Sequence, residues 1–150
     1  MKTSLQFQPP ASFNDSLTLH KLTDLLIISL LPRTTFLKSI VVNDINTELH
    51  ANADQELLAS VLSCLLHSAI VYSPASSIRV SAKAFGYITL LHVRTNDTQQ
   101  SELFCGSLNQ LQPLAEKLGG CITVTNNSIQ GATLAFTFIN PAAVLDEEKC

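Results

Sequence analysis

Four side chains able to do chemistry, Ser60, Cys64, His67 and Ser68, recur at spacings of three and four along one apolar run. In a helix such spacing places them on a single face. Two chemistries are open to that face. Cys64 and His67 could clip a metal ion, with Cys105 or Cys121 completing the set, or His67 could act as the base that activates a Cys64 nucleophile. No second paired-ligand motif accompanies the first arrangement, and no orienting group or oxyanion site accompanies the second. The reading that survives is structural, with small weakly polar residues filling a space. No catalytic residue and no metal ligand is therefore expected. His20, His50 and His92 lack cysteine or acidic neighbours suited to a site, and Asp44, Asp54 and Asp97 read as turn and cap residues. Cys64, Cys105, Cys121 and Cys150 lie far apart without CxxC spacing, which suits reduced core thiols. Cys64 and Cys121 are expected to be buried and slow to react.

The elements that must position these groups follow from hydrophobic period and turn chemistry. Residues 1–14, with Pro9 and Pro10, read as an irregular N-terminal segment. Helical spacing from Leu19 to Leu30 predicts a helix over 15–31, capped by Asn14 or Asp15 and stopped by Pro32. Ser39 to Ile45 reads as a strand or hairpin arm. The strongest helix runs from about Asp54 to Tyr72, with Asn52 or Asp54 as N-cap and Glu56 at the positive end of the dipole. Its core stripe is Leu58, Val61, Leu62, Leu65, Ala69 and Tyr72, which leaves the Ser60, Cys64, His67, Ser68 and Val71 face to meet something other than bulk water. Ile78 to Phe85 and Tyr87 to Val93 form a hairpin around Gly86. Arg94 to Gly106 is a polar loop long enough to suspect a function. Ser107 to Leu118 is a helix bent or restarted at Pro113 and ended by Gly119 and Gly120. Cys121 to Thr125 and Thr133 to Ile139 pair as a second hairpin, and 141–150 is a flexible, charged tail. Helices alternating with paired strands predict an α/β (α+β) two-layer sandwich, with a mixed, largely antiparallel sheet and helices on one face, in a single domain over 15–140.

Composition narrows the function. At 150 residues with 46% hydrophobic residues the chain can build a core, so disorder is excluded. Only 14% of residues are charged, against about 25% in ordinary domains. A surface so poor in charge points to a partner surface. The net charge of −3 and the absence of a Lys/Arg cluster exclude a nucleic-acid partner. The apolar stretch Leu25 to Leu31 is far shorter than the roughly 20 residues that span a bilayer, and no apolar segment directly follows Met1 and Lys2 as in a signal peptide. No membrane insertion is expected, and the cytoplasm is the expected compartment.

Two separated runs carry a resemblance. Leu57 to Pro74, LLASVLSCLLHSAIVYSP, resembles the N-box helix of histidine-kinase catalytic domains, close to LxxVLxNLLxNAIKYSP. Leu114 to Phe138, LAEKLGGCITVTNNSIQGATLAFTF, resembles that family's closing LVEKLGGxIxVxSxxGxGTTFTFTLP. The resemblance covers roughly residues 37–140 in the order of the family, the GHKL or Bergerat-fold ATPases that include DNA gyrase and the heat-shock chaperone ATPases. It implies an ATPase-like fold with helices on one face of a mixed sheet.

The chemistry implied by the resemblance is depleted at most positions of the family motifs. Where the family has two N-box Asn residues around magnesium and a Lys near the phosphates, this chain has Cys64, Ser68 and Val71. A thiol is a poor magnesium ligand. The place of the family's Glu or His, four residues before the first Asn, is Ser60. Tyr72, which in the family packs near the base, is retained. The DxGxG adenine motif aligns with Thr95, Asn96, Asp97, Thr98 and Gln99, so that its Asp becomes Thr95, or Asp97 if the alignment slides. The GxGLG loop aligns with Cys105, Gly106, Ser107 and Leu108. Ser60, Cys64, His67, Ser68, Tyr72, Thr95, Asp97 and Gly106 thus mark a degenerate nucleotide pocket. His20, followed by Lys21, does not resemble the family's phosphoacceptor. The expected protein is a non-catalytic, stand-alone histidine-kinase-like domain of bacterial signalling, without a cofactor and with a protein partner or a homodimer through its first helix or the exposed sheet edge next to it. The alternative is a sensor histidine kinase-type phosphotransfer domain that holds ATP and magnesium weakly through Tyr72, Ser68 and Asp97.

Overall fold

The structure is a computed structural model that describes residues 18–73, 75–96, 108–127 and 131–140. Thr18 opens the first helix, α1 (Leu19–Ser29), by accepting a hydrogen bond from the Lys21 amide at 3.2 Å. The cap is therefore Thr18 rather than Asn14 or Asp15, and the helix is shorter than 15–31. Pro32 does not stop the helical course. It sits in the first turn of α2 (Leu31–Leu37), where its missing N–H costs nothing, while Leu30 makes the break between the two helices. Lys38, with φ of 59°, closes α2 in the left-handed region.

β1 (Ile40–Asn43) follows, then α3 (Gln55–Tyr72). Asp54 caps α3 by accepting from the Leu57 amide, and Glu56 lies in the first turn, as the sequence predicts. β2 (Ser77–Phe85) and β3 (Ile88–Thr95) form the expected hairpin around Gly86. α4 (Gln112–Lys117) starts with Pro113 in its first turn, and β4 (Ile122–Asn127) and β5 (Gly131–Ile139) are the last of the described elements.

The sheet order is β1-β2-β3-β5-β4. Only β1 against β2 is parallel, so Ser39 to Ile45 supplies a crossover strand and not a hairpin arm. Period-two alternation sends Val80, Leu91, Val93, Leu134, Phe136 and Phe138 to one face, where all are buried. Against that face lie Leu58, Val61, Leu62, Leu65, Leu66 and Ile70 of α3. The architecture is the two-layer sandwich with a mixed, largely antiparallel sheet.

Two local devices fix the layers, one polar and one steric. Asn140, fully buried just after β5, accepts from the Asn52 amide at 3.0 Å and donates to the His50 carbonyl at 2.8 Å and to the Thr89 hydroxyl at 3.0 Å. It ties the chain before α3 to the end of the sheet. Gly119, with φ of +81°, turns the chain out of α4, and a Cβ on Gly120 would run into the Thr137 carbonyl. The Gly-Gly pair is therefore both a helix stop and a close backbone contact with β5.

Candidate functional site

A cleft opens on the side of α3 turned away from its core stripe. Its volume is about 260 Å³, and it is lined by Leu30, Ser63, Cys64, His67, Ser68, Gln110 and Leu111. The helical spacing of Ser63, Cys64, His67 and Ser68 brings them to this wall. Leu30, at the junction of α1 and α2, and Leu111, just before α4, supply apolar walls. Within the cleft Ser68 is buried, while Cys64 and His67 are exposed.

The sequence-predicted positions divide into four groups. Cys64, His67 and Ser68 meet in the cleft. Ser60 lies one turn earlier, in a neighbouring depression of about 340 Å³ shared with Asp54, Glu56, Leu57 and Lys117. Tyr72 is half-buried against the core at the end of α3, and Thr95 is buried at the end of β3. Asp97 and Gly106, together with most of the polar loop 94–106, lie outside the described residues. Leu30, Ser63, Gln110 and Leu111 were not foreseen as lining residues. Ser63 adjoins the identified stripe and was within reach of helical spacing, whereas Leu30 and Gln110 arrive only through tertiary packing.

One expectation is overturned. Cys64 and Cys121 are free thiols, but both are exposed rather than core residues. Cys64 belongs to the polar stripe of α3, so its neighbours on the helix and not its apolar character set its exposure. Cys121 precedes β4 with its Sγ 3.8 Å from the Thr137 hydroxyl.

The fit of the cleft to a magnesium–nucleotide complex can be judged from its donors. They are a thiol, an imidazole, two hydroxyls and a carboxamide, with no carboxylate on the wall. Magnesium takes hard oxygen ligands and usually one or two carboxylates. Among the described residues no three His, Cys, Asp or Glu side chains converge on a possible ion. The donors of the described wall do not fit that group.

Comparison with known proteins places the fold. The structure superposes on the Acinetobacter baumannii histidine kinase AdeS with a TM-score of 0.70 at 16% identity, over 83% of this chain and 66% of that one. For the catalytic domain of the histidine kinase ThkA the TM-score is 0.71 at 15% identity, over 83% of this chain and 94% of that one. For ThkA in complex with the response regulator protein TrrA the TM-score is 0.69 at 15% identity, over 84% of this chain and 41% of that one. The chain thus spans most of an isolated catalytic domain but less than two thirds of the AdeS and ThkA–TrrA kinase chains. No family profile and no curated protein sequence matches it. The fold is that of the histidine-kinase catalytic, or ATPase, domain.

Proposed function

We propose that this chain is a non-catalytic histidine-kinase-like domain that works by protein association in bacterial signal transduction, in the cytoplasm and without a bound cofactor. The observation that carries the proposal is the wall of the cleft. In a fold built to present magnesium ligands from α3, those positions hold an exposed thiol and a small hydroxyl, Cys64 and Ser68, around a small cavity. Loss of ligands on a retained scaffold leaves the scaffold's surface as its function.

That surface is unusually apolar along one side. Leu25 and Ile28 of α1, Leu31 and Phe36 of α2 and Ile40 of β1 are exposed, Phe36 by 81%. The exposed apolar side chains of the two helices, with Ile40 round the edge on the outer sheet face, support a protein partner or a second copy there. The resemblance to ThkA, seen with a response regulator, supports signalling as the setting.

Calorimetric titration with magnesium–ATP tests the cleft, and the expected outcome is no measurable heat of binding at micromolar concentrations. Micromolar affinity would favour the second reading, an ATP-holding phosphotransfer domain with an aberrant pocket, which retention of Tyr72 at the end of α3 supports. Sedimentation tests the surface. Leu22 of α1 is core, so the informative variant is Ile28→Glu, expected to weaken association without unfolding the chain.

A further inference from the structure

The face of the sheet opposite α3 changes character from end to end. Cross-strand register places Phe85, Ile88 and Ile139 in one row, all on this face and all exposed. Tyr87, at the hairpin tip beside them, is 61% exposed. Three rungs away Arg79 of β2 stands directly opposite Arg94 of β3, both exposed. Each rung advances two residues of about 3.4 Å, so the apolar and basic ends are separated by roughly 20 Å. Ser81 and His92 pair between them, and Lys83 lies with its ammonium 5.8 Å from the Phe85 ring centre.

No strand of the sheet contains an Asp or Glu. The two arginines are like charges directly opposite one another, an arrangement that works against strand pairing. Asp44, just after β1, forms an ion pair with Arg79. Arg94 has no carboxylate partner among the described residues. The chain carries a net charge of −3, yet the strands of this face bring Arg79, Lys83 and Arg94 and no acidic residue, with an apolar row at one end and Ile40 of β1 beside the arginine pair at the other.

We propose that this outer sheet face is a docking surface for an extended acidic segment of a partner protein. Its carboxylates would pair with Arg94, next to the Arg79–Asp44 ion pair, and its apolar side chains would cover Phe85, Ile88 and Ile139. Arginine favours this because its planar fork takes a carboxylate through two parallel hydrogen bonds. An extended peptide of about six residues spans 20 Å, so one segment reaches both ends. The field at the basic end is visible in His92, whose protonation is disfavoured by burial and then by Arg94. A nucleic acid suits the face less well. Its phosphates would need more cations than Arg79, Lys83 and Arg94 supply, and the aromatic rings Phe85 and Tyr87 lie far from the arginines, where no base on those phosphates could stack.

The inference takes its class of partner from the proposed association function, but it concerns the face remote from the cleft. The probe is a synthetic dodecapeptide with Leu-Val-Leu at one end and four consecutive glutamates at the other, titrated into the isotopically labelled full chain. Amide shifts are expected to gather at Arg79, His92, Arg94 and Ile88, and to fade in about 1 M salt, where the Debye length is about 3 Å. Arg94→Glu should weaken peptide binding by roughly tenfold or more. It should also raise the Tm slightly, because the new carboxylate faces Arg79; this separates lost docking from lost folding. Arg94→Gln should weaken binding less, and Cys64→Ala should leave it unchanged. Equal binding by Arg94→Glu, shifts confined to the helical layer, or tighter binding of an oligothymidylate would each overturn the proposal. So would shifts on this face that grow with protein concentration in the absence of peptide, since a second copy would then be the occupant. Nucleotide is absent from the experiment, so a null result counts against the sheet surface alone and leaves the reading of the cleft to its own titration.

Discussion

Along the inward stripe of α3, Leu58, Val61, Leu62, Leu65 and Ala69 are buried against the sheet, while round the same helix Ser60, Cys64 and His67 are exposed at its outer wall. The inward stripe keeps the apolar pattern of the histidine-kinase fold because each side chain there fills a space bounded by β3 and β5. The outer stripe has no packing duty of that kind. Its residues are free to lose the chemistry of a nucleotide site while the helix stays where it is. The contrast teaches that a shared fold testifies to the first stripe and says nothing about the second.

The sharpest way to break this contrast is a pair of neighbours. Leu65→Ala should cost about 2–5 kcal/mol, the loss of a fully buried leucine plus the cavity it leaves. Cys64→Ala, one residue earlier, should stay within about 0.5 kcal/mol. Urea unfolding of both variants checks the difference, and equal costs would mean that the cleft wall is packed as a core.

A second test concerns the polar link between the layers. Asn140→Ala should destabilise by about 1–3 kcal/mol, chiefly through the buried Thr89 hydroxyl left unpaired, with the part-buried Asn52 amide and His50 carbonyl contributing less. Asn140→Asp can still accept from Asn52 but cannot donate, so thermal melting should place it below wild type as well.

Thiol labelling sharpens the same comparison without mutation. Cys64 and Cys121 should react with a thiol reagent in the native state, without denaturant, because both are exposed. Protection of Cys64 until global unfolding would show that the cleft is closed in solution.

The smallest effect is a pH dependence at His92. Burial first, and Arg94 second, hold its pKa below 6.5 in the folded protein. The unfolded chain therefore binds this proton more readily, and the His92 contribution to stability falls as pH drops through the unfolded value of about 6.5. Replacing His92 with Gln should leave Tm unchanged near neutral pH and raise it relative to wild type as the solution is acidified.

How far the sequence reached depends on whether local chemistry or tertiary packing decides. The extent of α3 was legible because Asp54 caps it and its leucines repeat with helical period; both hairpins were legible from alternation and their turns. Pro32 misled because a proline that stops one helix is equally suited to begin the next, and only the conformation of Leu30 distinguishes the two. The parallel pairing of β1 was hidden in four residues with no pattern of their own. Helical spacing brought Cys64, His67 and Ser68 to one wall, yet it could not supply Leu30 or Gln110, which come from other elements. The exposure of Cys64 was implicit in the stripe it shares with Ser60 and His67, and the general tendency of cysteine to be buried obscured it.

The central claim is that the scaffold persists without its nucleotide chemistry, and melting in magnesium–ATP tests it most directly. A ligand that binds only the native state must raise stability, by about 2.7 kcal/mol when present at 100 times its Kd. The wild type and Cys64→Asn, melted side by side with and without millimolar magnesium–ATP, should both show unchanged Tm, since one restored amide does not rebuild the adenine and phosphate contacts. A rise of several degrees in the wild type would contradict the account and make the cleft a working nucleotide site.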